Sequence, residues 1–421
     1  MSTDQNTPEA TEATTPEATA HFTAPYAPLI EALTVAAYGT ATATTHTPAT
    51  ACVLIEADES GLTLRTHDWE TAVSTTVPEA TVTQHGASLI PLDQLRKALT
   101  AMVAGEPKTT AARTTVTLDG DLLATEHLTV PLEALPVGEF IPAPTPAPVA
   151  AHMDAPDLYR QLQRVLPAAG TDDTLPVLTG VQMTLTGQAL TLAATDRYRF
   201  AVADIPTTPH PDHPRTAPDH PLTALVPARV LTRLSKHLKT QTGRVGIAFG
   251  TPELTLTTGT TTITVQQTHG ALPRYNALFP KTVDTSLTLG RATAERALKK
   301  CRAMITAKGY GRDTCVTLRW DDTGALTLAP RVGEPEDQAR VKGMPLPSTP
   351  LAGPTPKDRE VHLRNTFLRD ALETFAGADT LTLHLREETA TPGGLPPVLL
   401  TEGPHPTGEG YRHLLMPVRV S

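Results

Sequence analysis

Aromatic residues make up only 4% of the chain, and cysteine occurs three times, at Cys52, Cys301 and Cys315. The first scarcity means that cores must be built mostly from aliphatic side chains. The second excludes a disulfide framework, and no C-x-x-C spacing exists to hold zinc, so the cysteines read as core thiols in a reducing compartment. Long apolar runs are missing too, and Met1 to Ala20 contains neither a basic n-region nor an apolar h-region. The chain is therefore expected to be soluble and cytoplasmic. An excess of positive charge is also absent: the net charge is −9 with a pI near 5.9, which argues against a protein that coats nucleic acid with a wholly basic surface.

The common enzyme fingerprints are absent as well. There is no G-x-x-x-x-G-K-[ST] loop, no G-x-G-x-x-G, no H-E-x-x-H and no G-x-S-x-G. Ser, His and Asp occur without the arrangement that would pair a nucleophile with its base. The acidic pairs Asp172-Asp173 and Asp321-Asp322 read as solvated turns rather than Mg²⁺ ligands. His210, Asp212, His213, Asp219 and His220 are capable ligands, but prolines interleave them and no cysteine joins them, so they read as a surface loop. No metal, cofactor or catalytic residue is expected. An enzyme acting on small molecules remains only as an alternative.

Proline is abundant, at 40 residues, and it marks turns and loops through a chain of 421 residues, long enough for several domains. Residues 1–20 are Thr, Pro, Glu and Ala without apolar periodicity and read as a disordered tail. Residues 141–150 read as a linker, and 205–221, 331–360 and 389–410 are similarly dense in Pro or Gly.

Between these stretches the chain repeats. TACVLIEADESGLTLRTHDWETAVSTTVP, LTGVQMTLTGQALTLAATDRYRFAVADIP and DTCVTLRWDDTGALTLAPRVGEPEDQARVKGMP share Leu-Thr-Leu after a turn. LIPLDQLRKAL, LVPARVLTRLSKHL and VHLRNTFLRDAL align at Pro91, Pro227 and Leu363, 136 residues apart at both steps. The spacing predicts three α+β domains, at 21–142, 143–280 and 281–421. In the second, Val181, Met183 and Leu185 alternate, Gly187-Gln188 turns the chain, and Leu190 and Leu192 alternate again, which predicts a hairpin. A following helix puts Leu231, Leu234 and Leu238 on one face and Arg229, Arg233 and Lys236 on the other.

Other basic groups at helical spacing are Arg160 with Arg164, Arg296 with Lys299 and Lys300, and the weaker Arg96 with Lys97. One such stripe is commonly just a solvated helix face. Recurrence across repeats arranged in an arc would sum them into a surface for a phosphate backbone, held without reading its sequence.

These residues resemble the bacterial DNA polymerase III β subunit, the sliding clamp, over roughly 25–421. Leu175-Pro176-Val177-Leu178-Thr179-Gly180 followed by Ala194-Thr195-Asp196-Arg197-Tyr198-Arg199-Phe200-Ala201-Val202 is similar to the family's middle-domain ATDGHRLAV-like segment. Leu272-Pro273-Arg274-Tyr275-Asn276-Ala277-Leu278-Phe279-Pro280 is similar to its FPDYRRVLP-like segment. His413-Leu414-Leu415-Met416-Pro417-Val418-Arg419-Val420 is similar to its VVMPMRL-like tail.

The resemblance implies the clamp fold and a head-to-tail homodimer whose six domains ring duplex DNA without sequence preference. It implies an accessory subunit with no catalytic site, tethering the DNA polymerase III α subunit, opened by a clamp loader and shared with repair and other clamp-binding-motif proteins. It implies a peptide pocket between the second and third domains lined by Leu178, Thr195, Arg197, Tyr198, Arg199, Phe200, Pro273, Leu278, Leu414, Met416, Pro417, Val418 and Arg419. It implies a dimer contact joining Met304 and Ile305 to Leu128 and Val130. The alternative is a diverged paralogue with an altered pocket, serving a plasmid, a phage or inhibitor resistance. This chain has Arg197 where the family usually has Gly and Ala277 where Arg is usual. It has Thr44-Thr45-His46-Thr47-Pro48-Ala49-Thr50 in place of an Arg-containing loop.

Overall fold

The computed structural model describes residues 18–41, 47–211, 221–273, 278–280, 282–387, 395–406 and 410–420. Residues 1–17, Thr44 to His46, Asp212, His213, Asp219, His220 and Arg274 to Ala277 lie outside them. The chain divides into two compact units, one comprising Met1–Thr145 and Thr260–Thr264, the other Pro146–Gly259 and Val265–Ser421.

A strand followed directly by a helix recurs six times, and the helices pack in three pairs: Tyr26–Ala36 with Leu92–Met102, Ala155–Val165 with Ala228–Leu238, and Arg291–Ala307 with Asn365–Thr374. The sequence anchors fall at these junctions. Pro91 and Pro227 are the N-cap residues of their helices, where the missing N–H of proline leaves no helical bond unmade. The third equivalent is Arg364 rather than Leu363, one residue later.

In the first unit the strands run in the order Thr81–Gln84, His21–Pro25, Thr115–Asp119, Leu122–Ala124, Thr129–Pro131, every pair antiparallel. Cys52–Asp58, Gly61–His67, Thr71–Val77 and Gly86–Pro91 form the other face of its core. Leu29, Leu33, Ile55, Leu64, Ile90, Leu95 and Leu99 fill it, and Phe22 is its single fully buried large aromatic. Ala20 is buried and Ala18 accepts a hydrogen bond from the Ala87 amide, so these residues of the expected tail are held by the fold.

The second unit contains an antiparallel sheet in which nine strands are described, in the order Leu222–Pro227, Gly180–Thr186, Ala189–Thr195, Arg199–Pro206, Arg412–Leu415, Val398–Thr401, Thr380–Leu385, Thr285–Gly290 and Ser348–Ala352. Its first hairpin is the one the alternation predicts: Thr186 pairs with Ala189 across Gly187, whose φ of +59° suits glycine. Val181, Met183, Leu185, Leu190 and Leu192 are all buried beneath the helices. Leu231, Leu234 and Leu238 seal the helix Ala228–Leu238 against them, each burial contributing about 1.5–3 kcal/mol. Leu234→Asp would place an unpaired carboxylate in that layer and break it.

Residues 331–360 are not a bare loop. Met344–Pro345 and Ser348–Ala352 are strands, the latter pairing with Thr285–Gly290, and Leu346 is buried. Pro345 and Pro350 sit on edge strands, where a missing donor costs little. Cys52 and Cys301 are buried, which pushes both thiols up to about 11, and Cys315 is half-buried. No helix among the described residues is long and apolar enough to cross a membrane.

Candidate functional site

The tight turn between Ala189–Thr195 and Arg199–Pro206 organises the site. Asp196 Oδ1 accepts hydrogen bonds from the amides of Tyr198 and Arg199, both at 3.0 Å. Thr195 Oγ1 donates to the Arg199 carbonyl at 2.7 Å and accepts from the Arg197 amide at 3.1 Å. This double staple holds Arg197 at φ +79°, a left-handed conformation that disfavours any residue with a Cβ. The family's usual glycine at this position has a plain physical reason, and Arg197 occupies it against that preference. The turn sends the Arg197 and Tyr198 side chains outward, and both are exposed.

Beneath the turn lies an apolar cluster of Ala193, Phe200, Val202, Leu225, Leu272, Phe279, Leu399 and Leu414. Phe200 and Phe279 meet edge to face, with centroids 5.8 Å apart. Val177, Leu178 and Met416 pack against the cluster while remaining partly open to solvent. Leu278 and Pro273, next in the chain to Phe279 and Leu272 of the cluster, are exposed, as is Tyr198 in the turn; Leu278 is 49% and Tyr198 45% exposed. A patch with a sealed apolar floor and a half-open rim can take up an apolar side chain without first reorganising.

The thirteen residues implied by the resemblance therefore separate. Phe200, Leu414 and Thr195 are floor and support, being buried, while Leu178 and Met416 form the half-open wall. Arg199 is held beneath the rim by Asp196 at 2.9 Å and Asp370 at 2.6 Å, with its guanidinium 4.5 Å over the Phe367 ring. Pro417, Val418 and Arg419 are led away. The Val418 amide donates to the His362 carbonyl at 2.8 Å, and the three residues line a separate cavity of 290 Å³ with His362, Leu395 and Pro396.

Sequence reasoning missed Phe367, Arg364, Val202, Leu225 and Leu399. Leu399 belongs to the apolar run Val398-Leu399-Leu400, a strand signal inside a stretch read as loop. Phe367 and Arg364 gave no local signal, because only the fold brings that helix start to the turn at Tyr198, where the two rings stack at 6.2 Å.

Most of the basic stripe is outward. Arg160, Arg229, Lys236, Arg296, Lys299, Lys300 and Lys97 are exposed, and Arg233 and Arg96 are half-buried. Arg160 pairs with Asp157 and Lys97 with Asp93, both at 2.6 Å. Arg164 does not belong with them. It is 9% exposed, ion-paired with Glu402 and packed 5.2 Å from the Tyr411 ring centroid, so its charge is committed inside the fold. Helical spacing places Arg160 and Arg164 one turn apart, but Glu402 and the Tyr411 ring cover only the second.

Of the expected dimer residues, Leu128 and Met304 are each 47% exposed and Val130 is half-buried. Ile305 is 2% exposed and serves its own helix's core face. Asp172 and Asp321 cap turns by accepting from Thr174 and Thr323, and those hydrogen bonds hold both carboxyls below their usual range. Among the described residues no group of three or more His, Cys, Asp or Glu side chains could hold a metal ion.

Comparison with known proteins now decides the family. The model for the DNA polymerase III beta subunit central domain matches residues 152–274. The beta sliding clamp of Streptomyces coelicolor is 30% identical over 384 residues, covering 89% of this chain and 93% of that protein. The chain belongs to the β sliding clamp family. The beta sliding clamp homolog GriR of Streptomyces muensis is 30% identical over 281 residues, 66% of this chain and 69% of its own length. Among solved structures, the sliding clamp of Bacillus subtilis matches with a TM-score of 0.76 at 18% identity, over 96% of this chain and all of that one. The griselimycin-bound sliding clamp of Pseudomonas aeruginosa matches with a TM-score of 0.75 at 20% identity, over 96% of this chain and 100% of that one. As a sliding clamp the chain is an accessory subunit of DNA polymerase III in DNA replication, without a catalytic site of its own. These relatives favour the clamp over the diverged-paralogue reading.

Proposed function

We propose that the clamp acts as a head-to-tail homodimer, three domains from each chain at 21–142, 143–280 and 281–421, closed around duplex DNA. The apolar floor under Tyr198, open at Leu178, Met416 and Leu278, is its partner pocket. Into it the α subunit of DNA polymerase III, the clamp loader and other clamp-binding-motif proteins insert a short peptide with apolar anchors. The observation that carries this reading is a fully sealed floor of Phe200, Phe279 and Leu414 beneath residues that stay half-open. An adaptable Met416 beside rigid rings suits varied anchors. Arg160, Arg229, Arg233, Lys236, Arg296, Lys299 and Lys300, with Arg96 and Lys97, face the DNA, and their phosphate contacts permit sliding. Met304 meets Leu128 across the dimer contact, with Val130 beside it and Ile305 supporting from beneath. The clamp works in the cytoplasm, on the nucleoid.

Titration of a labelled clamp-binding peptide tests the pocket. Saturable micromolar binding to the wild type, lost in a Leu278→Ala, Met416→Ala variant, is the expected result. No binding to the wild type overturns the assignment.

A further inference from the structure

Among the described residues Trp69 is the most exposed large apolar side chain, at 64%, in a chain whose other tryptophan, Trp320, is fully buried. Its backbone is left-handed, at φ +72°. Asp68 Oδ1 accepts from the amides of Glu70 at 3.1 Å and Thr71 at 2.7 Å, and the Asp68 amide donates to the Thr71 carbonyl at 3.2 Å. This staple fixes where the indole points, because a residue with a Cβ stays left-handed only where its surroundings over-determine it. The same device holds Arg197 at the rim of the pocket in the other unit.

The His67 ring lies 5.8 Å from that of Trp69, and His67 Nδ1 donates to the Ile141 carbonyl at 3.3 Å. The segment carrying Ile141 lies over the same sheet. Phe140 packs on Cys52, Leu54 and Leu89 while staying half-open, and the exposed Glu139 adds its charge to the burial that raises the Cys52 thiol. One exposed ring, two half-open apolar side chains and the carboxylates of Asp68, Glu70 and Glu139 thus share one end of the first unit. Charge selects what fits there. Residues 18–145 hold fourteen Asp and Glu against five Lys and Arg, a net −9, whereas 146–421 hold thirty Lys and Arg against twenty-six Asp and Glu, a net +4. The first unit as a whole repels a phosphate backbone and attracts a basic polypeptide.

We propose that the turn Asp68–Thr71 is a docking site for a partner protein that presents an arginine-rich segment, with Trp69 as its anchor. A guanidinium stacks on the indole face while the neighbouring carboxylates accept from its N–H groups. Phe140 and Ile141 receive the apolar atoms beside it. The site is independent of the peptide pocket, all of whose residues belong to the other unit.

Anisotropy of a labelled Arg-Gly-Gly repeat peptide tests this on the full chain at about 0.15 M salt, with an all-Gln counterpart as reference. Saturable micromolar binding of the Arg peptide alone is expected, weakened about tenfold in Trp69→Ala and less in Trp69→Phe, which keeps a ring. Tryptophan emission should shift with the same midpoint, since Trp320 is sealed inside the fold. If Trp69→Ala unfolds, Trp69→Gly, whose backbone suits the turn, decides by the same comparison. Failure of the Arg peptide to bind overturns the proposal. Equal binding by the wild type and the variants also overturns it, leaving charge alone as the cause. Displacement by a clamp-binding peptide does so too, by moving the contact to the pocket.

Discussion

The Met416 amide donates to the carbonyl of Tyr198 at 2.8 Å, so the half-open wall and the rim of the pocket are one hydrogen-bonded unit. Whatever displaces the turn at Arg197 must also displace Met416.

That coupling makes Arg197 informative. Its left-handed backbone costs roughly 1–2 kcal/mol relative to an ordinary conformation. Arg197→Gly should keep or raise stability by up to about 1 kcal/mol, whereas Arg197→Val, β-branched at positive φ, should lower it by at least that amount. Urea denaturation of the two variants checks the order. The reverse order would mean that the Arg197 side chain, not the turn, carries the stability.

Floor and rim should respond differently. Phe200→Ala removes a buried ring and should cost about 3–5 kcal/mol together with peptide binding. Leu278→Ala, at an exposed position, should leave the melting temperature nearly unchanged and still weaken the peptide. Calorimetry of unfolding beside peptide titration separates the two.

Two buried histidines tie stability to pH. Burial drives His413 down to about 3 and His384 down to about 4 from 6.5. His384 is held neutral between Ser286 and Thr401, both at 2.8 Å. The unfolded chain therefore binds protons that the fold refuses, and this stability is complete above about pH 6.5 and lost as pH falls toward 4 and then 3. Each histidine can contribute a slope of up to about 1.4 kcal/mol per pH unit. Denaturation midpoints between pH 7.5 and 4.5 should fall, and the fall should flatten in a His384→Gln, His413→Gln variant.

Basic residues of the stripe should divide by burial. Lys299→Gln with Lys300→Gln should weaken binding to duplex DNA and reduce its salt dependence, with little change in stability. Arg164→Gln should instead cost about 1.5–3 kcal/mol, because it deprives Glu402 and the Tyr411 ring of their partner. Salt-series DNA titration and thermal unfolding distinguish the pair.

The Met304 contact is tested by charge. If Met304 meets Leu128 in a dimer as proposed, Met304→Glu should give monomers by light scattering at micromolar concentration, since the proposed contact would bury its carboxylate among apolar groups. A mass unchanged from the wild type would remove Met304 from the interface.

Local pattern carried much of this architecture into the sequence. Alternation at Val181–Leu192 and the leucine spacing of 231, 234 and 238 were readable because each reports one periodic face against one layer. The anchors at Pro91 and Pro227 were readable because proline fixes where a helix begins. The depth of a single residue was not readable. Arg164 and Ile305 look like neighbours of exposed positions, and only the packing of their helices buries them. A cleft beside Tyr198 was invisible for another reason: Arg302, Arg312 and Arg364, which line it, come from a helix, a loop and a strand end that share no local motif.

The strand Arg412–Leu415 is hydrogen-bonded on both edges, to Arg199–Pro206 and to Val398–Thr401. It leaves the ribosome after both of them. Until it does, each neighbour keeps an open edge and Phe200 lacks Leu414 beneath the turn. A nascent or shortened chain without this strand lacks part of the floor of the proposed pocket. Completion of the proposed pocket therefore waits on synthesis of Arg412–Leu415.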